Sequence, residues 1–209
     1  MDEKIKNLLS KMKWLGHDTF KITNKLTIYT DPYKLKGELE KGDLILVTHG
    51  HYDHFSLEDI KKIEKDDTVI VAPPDCARKR SNIISIEVGE RKELKGVQIQ
   101  AVPAYNIGKD FHPKGNKWVG YIFIVDNVRI YHAGDTDIIP EMEDFKCDIA
   151  LLPVSGTYVM TPDEAAEAAL KINPKVAVPM HYGSIVGSLN DAKKFKEKLE
   201  GKIEVYIFG

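Results

Sequence analysis

Cysteine and glutamine are scarce in this 209-residue chain, and its two cysteines, Cys76 and Cys147, have no partner at metal-knuckle or redox spacing. That excludes a disulfide framework and a thiolate-rich structural zinc site, and two free thiols fit a reducing compartment, so the expected location is cytoplasmic. Glutamine occurs only at positions 98 and 100 while Lys, Glu and Ile abound, a bias associated with proteins from hot environments. No apolar run approaches the roughly 20 residues of a spanning helix. The opening MDEKIKNLLSKMKW threads charges through its apolar positions, unlike a secretory signal. Positive charge is not in excess either: 30 Lys and Arg stand against 32 Asp and Glu. Nonspecific binding to nucleic acid or a membrane surface is therefore not expected, and the implied partner is a small-molecule substrate. The length suits a single domain over residues 1–209.

What is present is a series of short Ile- and Val-rich stretches punctuated by Gly, Pro and Asn. They run over 26–30, 44–47, 68–72, 97–103, 118–125, 128–132, 149–153, 176–179 and 203–207, and each reads as a strand. Helical patterns fall between some of them. Ile5, Leu8, Leu9 and Met12 share one helical face near the start. Ser56 with Asp59, and Thr161 with Glu164 and Pro162, have the spacing of capping boxes that open helices, and a further helix is predicted over 191–199. The second half repeats the order of the first. The predicted fold is α/β (α+β): two mixed sheets face to face with helices outside, a four-layer αββα sandwich. The polar loop 105–117 is the one candidate for a functional insertion.

The strand at 44–47 runs into Thr48-His49-Gly50-His51-Tyr52-Asp53-His54, directly before the helix capped by Ser56. In extended chain His49 and His51 project to the same side and can share one metal ion. The turn at Asp53 and His54 can aim a carboxylate and a third imidazole at a neighbouring ion. Imidazole with carboxylate suits zinc first, with manganese or iron as alternatives, and the absence of thiolates argues against a closed structural site. Isolated histidines usually serve the surface or the core; three with an aspartate inside six residues at a strand end do not fit that role.

The segment resembles the metallo-β-lactamase superfamily, whose first metal motif is H-x-H-x-D-H after a strand, and residues 49–54 match it throughout. The resemblance implies the metallo-β-lactamase fold and further ligands downstream. Asp135, in Tyr-His-Ala-Gly-Asp-Thr, is similar to the bridging aspartate, and His181, in Val-Pro-Met-His-Tyr-Gly, to the last ligand. A histidine expected just past the strand 97–103 is missing, and Ala104-Tyr105-Asn106 stands there instead. His112 is favoured for that place because a neutral imidazole is a better ligand than an amide oxygen; Asn106 is the alternative. Trp14-Leu-Gly-His17 and Tyr29-Thr-Asp31-Pro32 resemble the branch that contains the ascorbate-phosphate lactonase. There His17 and Asp31 would approach the metals, with Asp31 accepting an N–H from a ligand histidine; the plainer reading makes them a strand cap and a turn. His132, inside a strand, reads as a hydrogen-bonded core residue.

The resemblance implies a hydrolase with two divalent ions. His49, His51 and His112 would hold one, Asp53, His54 and His181 the other, with Asp135 between them and a bridging hydroxide as nucleophile. Asp53 and Asp135 are the expected catalytic carboxylates. The substrate class is an ester, lactone or phosphoester. Lys109, Lys114 and Lys117 near the mouth favour an anionic one, and Tyr158 and Tyr182 are candidates to contact it. A noncatalytic metal-binding protein on the same fold is the contrasting reading. A diiron oxidoreductase fits less well, since that branch has Glu where this chain has His51.

Overall fold

A computed structural model describes residues 1–209. The first sheet has the strand order β1 (Met12–Gly16), β2 (Thr19–Thr23), β3 (Thr27–Thr30), β4 (Leu44–Leu46), β5 (Val69–Ala72) and β6 (Ile83–Ser85). Its first three strands pair antiparallel and its last four parallel. The second sheet adds β7 (Arg91–Leu94), β8 (Val97–Pro103), β9 (Val119–Val125), β10 (Val128–His132), β11 (Ile149–Pro153), β12 (Val176–Met180) and β13 (Glu204–Val205), again side by side in chain order. Strands β7 to β10 are antiparallel and β10 to β13 parallel, so the second sheet repeats the scheme of the first.

Side-chain alternation explains the layers. In β4, Leu44 and Leu46 enter the large core between the sheets, while Ile45 and the following Val47 join a smaller core on the opposite face. That outer core is closed by helices α2 (Leu57–Ile63) and α3 (Pro74–Ala77) through Ile60, Ile63 and Cys76. On the second sheet, α4 (Pro162–Ile172) packs near β11 and α5 (Leu189–Lys198) near β12. The N-terminal helix α1 (Glu3–Ser10) packs near β1 and β10 and buries Ile5, Leu8 and Leu9. The four-layer αββα arrangement follows from strands that are apolar on both faces and helices that are apolar on one.

The predicted elements are present, with differences that have local causes. Met12, counted with the first helix, opens β1, because the helix ends at Ser10 and the chain then pairs with β2. The box at Thr161 and Glu164 is complete, but Ser56 forms only its own half, accepting from the Asp59 N–H. Asp59's carboxylate instead accepts from the N–H groups of Lys34 and Leu35. The last helix starts at Leu189 under a Ser188–Asp191 box, two residues before its expected start, and the last strand shortens to Glu204–Val205. Strands β1, β2, β6 and β7 were not anticipated. No helix is long and apolar enough to cross a membrane.

Candidate metal centre

The parallel strands deliver their chemistry to one edge. Asp31 follows β3, His49 lies just past β4, Asp135 follows β10, Ser155 follows β11 and His181 follows β12. Two bonds join the sheets at this edge: Tyr121 Oη donates to the Val47 carbonyl at 2.7 Å and the Val119 N–H to the Thr48 carbonyl at 3.2 Å. The β1–β2 turn is held to it by the His181 N–H, which donates to the His17 carbonyl at 3.1 Å.

Two nests of donor atoms result. In the first, His49 Nε2 lies 3.2 Å from His51 Nδ1 and 3.1 Å from His112 Nε2. In the second, one donor atom from each of His17, Asp53, His54 and His181 falls within 4.8 Å of the others. Asp135 stands between: Oδ2 lies 3.2 Å from His112 Nε2, while Oδ1 lies 3.3 Å from His54 Nε2 and 3.2 Å from His181 Nε2.

These residues fit metal ions. Nitrogens bound at 2.0–2.1 Å in tetrahedral array stand about 3.3 Å apart, close to the spacings in the first nest. In the second, His54 Nε2, His181 Nε2 and Asp135 Oδ1 are buried and have no hydrogen-bond partner, an arrangement costly in a chain with nothing to coordinate.

The opposite ring nitrogens are tied down, which fixes what each imidazole presents. Thr48 Oγ1 donates to Asp31 Oδ2 at 2.6 Å, so it accepts from His49 Nδ1 at 3.0 Å and leaves His49 Nε2 a bare lone pair. His54 Nδ1 lies 2.9 Å from Asp31 Oδ2, and His181 Nδ1 lies 2.8 Å from Ser155 Oγ. All three histidines therefore turn Nε2 inward, as metal-binding imidazoles with ordered outer partners do. Burial holds His54 well below the ordinary histidine range, and burial with the neighbouring His54 does the same to His49. Burial also acts downward on His181, but the Asp135 and Asp18 carboxylates outweigh it and raise it to about 9. Burial would raise Asp135, yet His181 and His54 hold it well below the usual carboxylate range.

The loop after β8 resolves the places of His112 and Asn106. Asn106 Nδ2 donates to the Tyr158 carbonyl at 2.6 Å, and the Asn106 N–H donates to the His112 carbonyl at 2.8 Å. Asn106 thus braces the loop that folds His112 back over His49. His17 Nε2 lies 3.1 Å from Asp53 Oδ2, with its ring 4.0 Å from that of His181, and Asp31 Oδ2 lies 2.9 Å from His54 Nδ1, so both are placed among the clustered residues. His132 stays in the core, donating from Nε2 to the Asp18 carbonyl at 2.9 Å.

Tyr182 is buried against Trp14, with ring centroids 4.6 Å apart. One expectation needs correction. The loop lysines do not line the site. Lys109 is held by Asp137 and the Val159 carbonyl, Lys114 by Glu141 and Tyr105 Oη, and Lys117 points to solvent. Three contributors escaped sequence reasoning, Thr48, Trp118 and Asp18, while Ser155, which the sequence offered with Tyr158 as a hydroxyl for the substrate, instead meets His181 Nδ1. Trp118 walls the first nest, its ring 4.9 Å from His49 and 4.8 Å from His51. Asp18 is fully buried with both carboxylate oxygens unpartnered, and burial raises it well above the usual carboxylate range. Only its neighbour His17 hinted at Asp18; the others are common residues with no local signature.

Layered mixed sheets with a histidine and aspartate cluster at their common edge define a protein of the metallo-β-lactamase fold with a candidate metal centre. Residues 11–181 match the model of the beta-lactamase superfamily domain. The UPF0173 metal-dependent hydrolase of Thermococcus kodakarensis is 37% identical over 94% of this chain and 95% of its own length. A related hydrolase structure from Parabacteroides distasonis is 35% identical, with TM-score 0.86 over 94% of this chain and 91% of that one. The metallo hydrolase Igni18 of Ignicoccus hospitalis is 27% identical, with TM-score 0.77 over 94% of both chains. The chain belongs to the metallo-β-lactamase superfamily, among the UPF0173 metal-dependent hydrolases.

Proposed function

We propose that the chain is a dinuclear hydrolase acting on an ester, lactone or phosphoester. The observation that carries this is the division of Asp135, whose Oδ2 faces the His49, His51 and His112 nest while Oδ1 faces His54 and His181. His49, His51 and His112 would hold one ion, and Asp53, His54 and His181 the other, zinc suiting this donor set best and manganese or iron next. Bound ions would lower the pKa of water toward about 7 and polarise the oxygen under attack.

The chain's own groups do the rest. Asp53 lines the cleft. Burial acts to raise it, but His17 holds it below the ordinary carboxylate value, so it is ionised at neutral pH and can take the proton of an attacking water. His17 fixes the rotamer of Asp53 through the 3.1 Å contact, and Asp31 and Thr48 lock two histidines in the tautomer that binds. Asp53→Asn keeps shape but removes both the base and a carboxylate ligand of the second ion, so kcat should fall by at least about 10²–10⁴. The test is a screen of metal-loaded protein over lactones, phosphodiesters, phosphomonoesters and thioesters, followed by this variant on whichever class turns over. Two bound ions with no turnover in any class would move the weight to a noncatalytic metal-binding role.

A further inference from the structure

Resting on the two-ion reading, we infer that Trp118 is the positioning residue of the first ion, holding by ring contact the two histidines of that nest that no hydrogen bond orients. The two nests are built differently. In the second, Asp31 and Ser155 meet the outer nitrogens of His54 and His181. In the first, only His49 has such a partner, Thr48. His51 turns Nδ1 toward His49, and its Nε2 makes no hydrogen bond within the protein. His112 Nδ1 is buried with no partner. A ligating histidine ordinarily gives its outer N–H to a fixed acceptor, so these two rings need another constraint.

Backbone bonds do not supply it. The carbonyl of His51 accepts from the N–H groups of His54 and Phe55, and that of His112 from Asn106, which fixes the main chain and leaves each ring a choice of rotamers. Trp118 reaches the rings themselves. Its centroid lies 4.8 Å from His51 and 5.2 Å from His112, both edge to face, and 4.9 Å from His49. These distances fall in the roughly 4.5–7 Å range of paired aromatic rings. One indole thus meets all three imidazoles of the first nest, and its ring neighbours include none from the second.

The indole is itself anchored. Trp118 Nε1 donates to Asp75 Oδ2 at 2.9 Å, at the start of α3. The same oxygen lies against Gly50, between His49 and His51, where a Cβ would come within 3.0 Å of it. Glycine lets the carboxylate approach the ligand loop, and Asp75 thereby fixes Trp118 relative to that loop. Packing of this kind locks a ligand's rotamer as an outer hydrogen bond does.

Zinc titration of the apoprotein against a competing chelator tests this without any assay of turnover. His51→Ala identifies the binding step of the first ion by removing it. Trp118→Ala should weaken that step by about tenfold or more, the scale of a lost outer partner, and should change nothing further when added to His51→Ala. Trp118→Phe keeps a ring and should lose less. Asp75→Leu removes the anchor without removing a ligand and should weaken the same step, whereas Asp75→Asn still accepts from the indole and should stay near wild type. The Asp75 pair decides the matter if Trp118→Ala does not fold. Weakening of both steps alike, no effect of Trp118→Ala, or equal effects of Asp75→Leu and Asp75→Asn would overturn the role of Trp118 and leave the two-ion reading standing. If His51→Ala removes no binding step, the two-ion reading falls and this role with it.

Discussion

Thr48 and Ser155 do for His49 and His181 what Asp31 does for His54: each holds the outer ring nitrogen so that the inner one faces the centre. Such partners typically govern metal affinity by 10- to 100-fold, which separates ligands from braces by experiment. His112→Ala should cost one ion per chain, whereas Asn106→Ala should keep both and weaken one by about tenfold, because the brace to Tyr158 is lost but the imidazole remains. Loss of an ion in Asn106→Ala alone, measured by elemental analysis, would reverse the assignment. His132 offers a pH prediction away from the nests. Burial lowers it to about 4, beneath the unfolded value near 6.5. The unfolded chain therefore takes up the proton first, and the stability that neutral His132 contributes is complete above about 6.5 and drains away as pH falls toward 4. Denaturant midpoints over that window should fall less steeply in His132→Asn; equal slopes would count against the assignment.

Elements carry the residues to the edge, and several arrive under backbone strain. His17, Asp31, His112 and His181 have φ values of 53°, 36°, 57° and 60°, a region that L side chains enter at a cost and that clusters at functional sites. Gly134, just before Asp135, has φ +61°, and a Cβ there would lie 3.0 Å from Thr48 Cβ. Gly134→Ala should therefore destabilise by about 1–3 kcal/mol and, by displacing Thr48, loosen His49 as well. A melting curve and a metal titration check both effects, and an unchanged titration would uncouple Gly134 from the site. The same scale shows what could be read in advance. Strand β11 is a continuous apolar run and β8 and β10 begin with apolar–polar alternation, so all three were bounded correctly, and Thr161 marked its helix through a complete box. Strand β7, Arg91-Lys-Glu-Leu94, was invisible because it is an exposed edge strand whose charges mask its pairing with β8. Strand β1 was obscured because Met12 continued the helical spacing of Ile5, Leu8 and Leu9 by one residue beyond the helix.

At the scale of the molecule, a large core between the sheets and a smaller one beneath α2 and α3 stiffen the two sheets whose joint edge holds the site. The compact His49–His54 motif was legible because four donors share one turn. Thr48, and the pairing of Ser155 with His181, were not, because they exist only once strands distant in sequence converge on one edge. The repeated halves contribute unequally. The first supplies His17, Asp31 and residues 49–54, and the second supplies His112, Asp135 and His181, with the two oxygens of Asp135 facing different nests. That convergence predicts two ions that depend on one shared carboxylate. The direct measurement is the metal content of reconstituted protein by elemental analysis, for wild type, His51→Ala and Asp135→Asn. The account predicts two transition ions per wild-type chain, one in His51→Ala, and weakened binding of both in Asp135→Asn. Fewer than one ion per wild-type chain, or an unchanged count in His51→Ala, would contradict it.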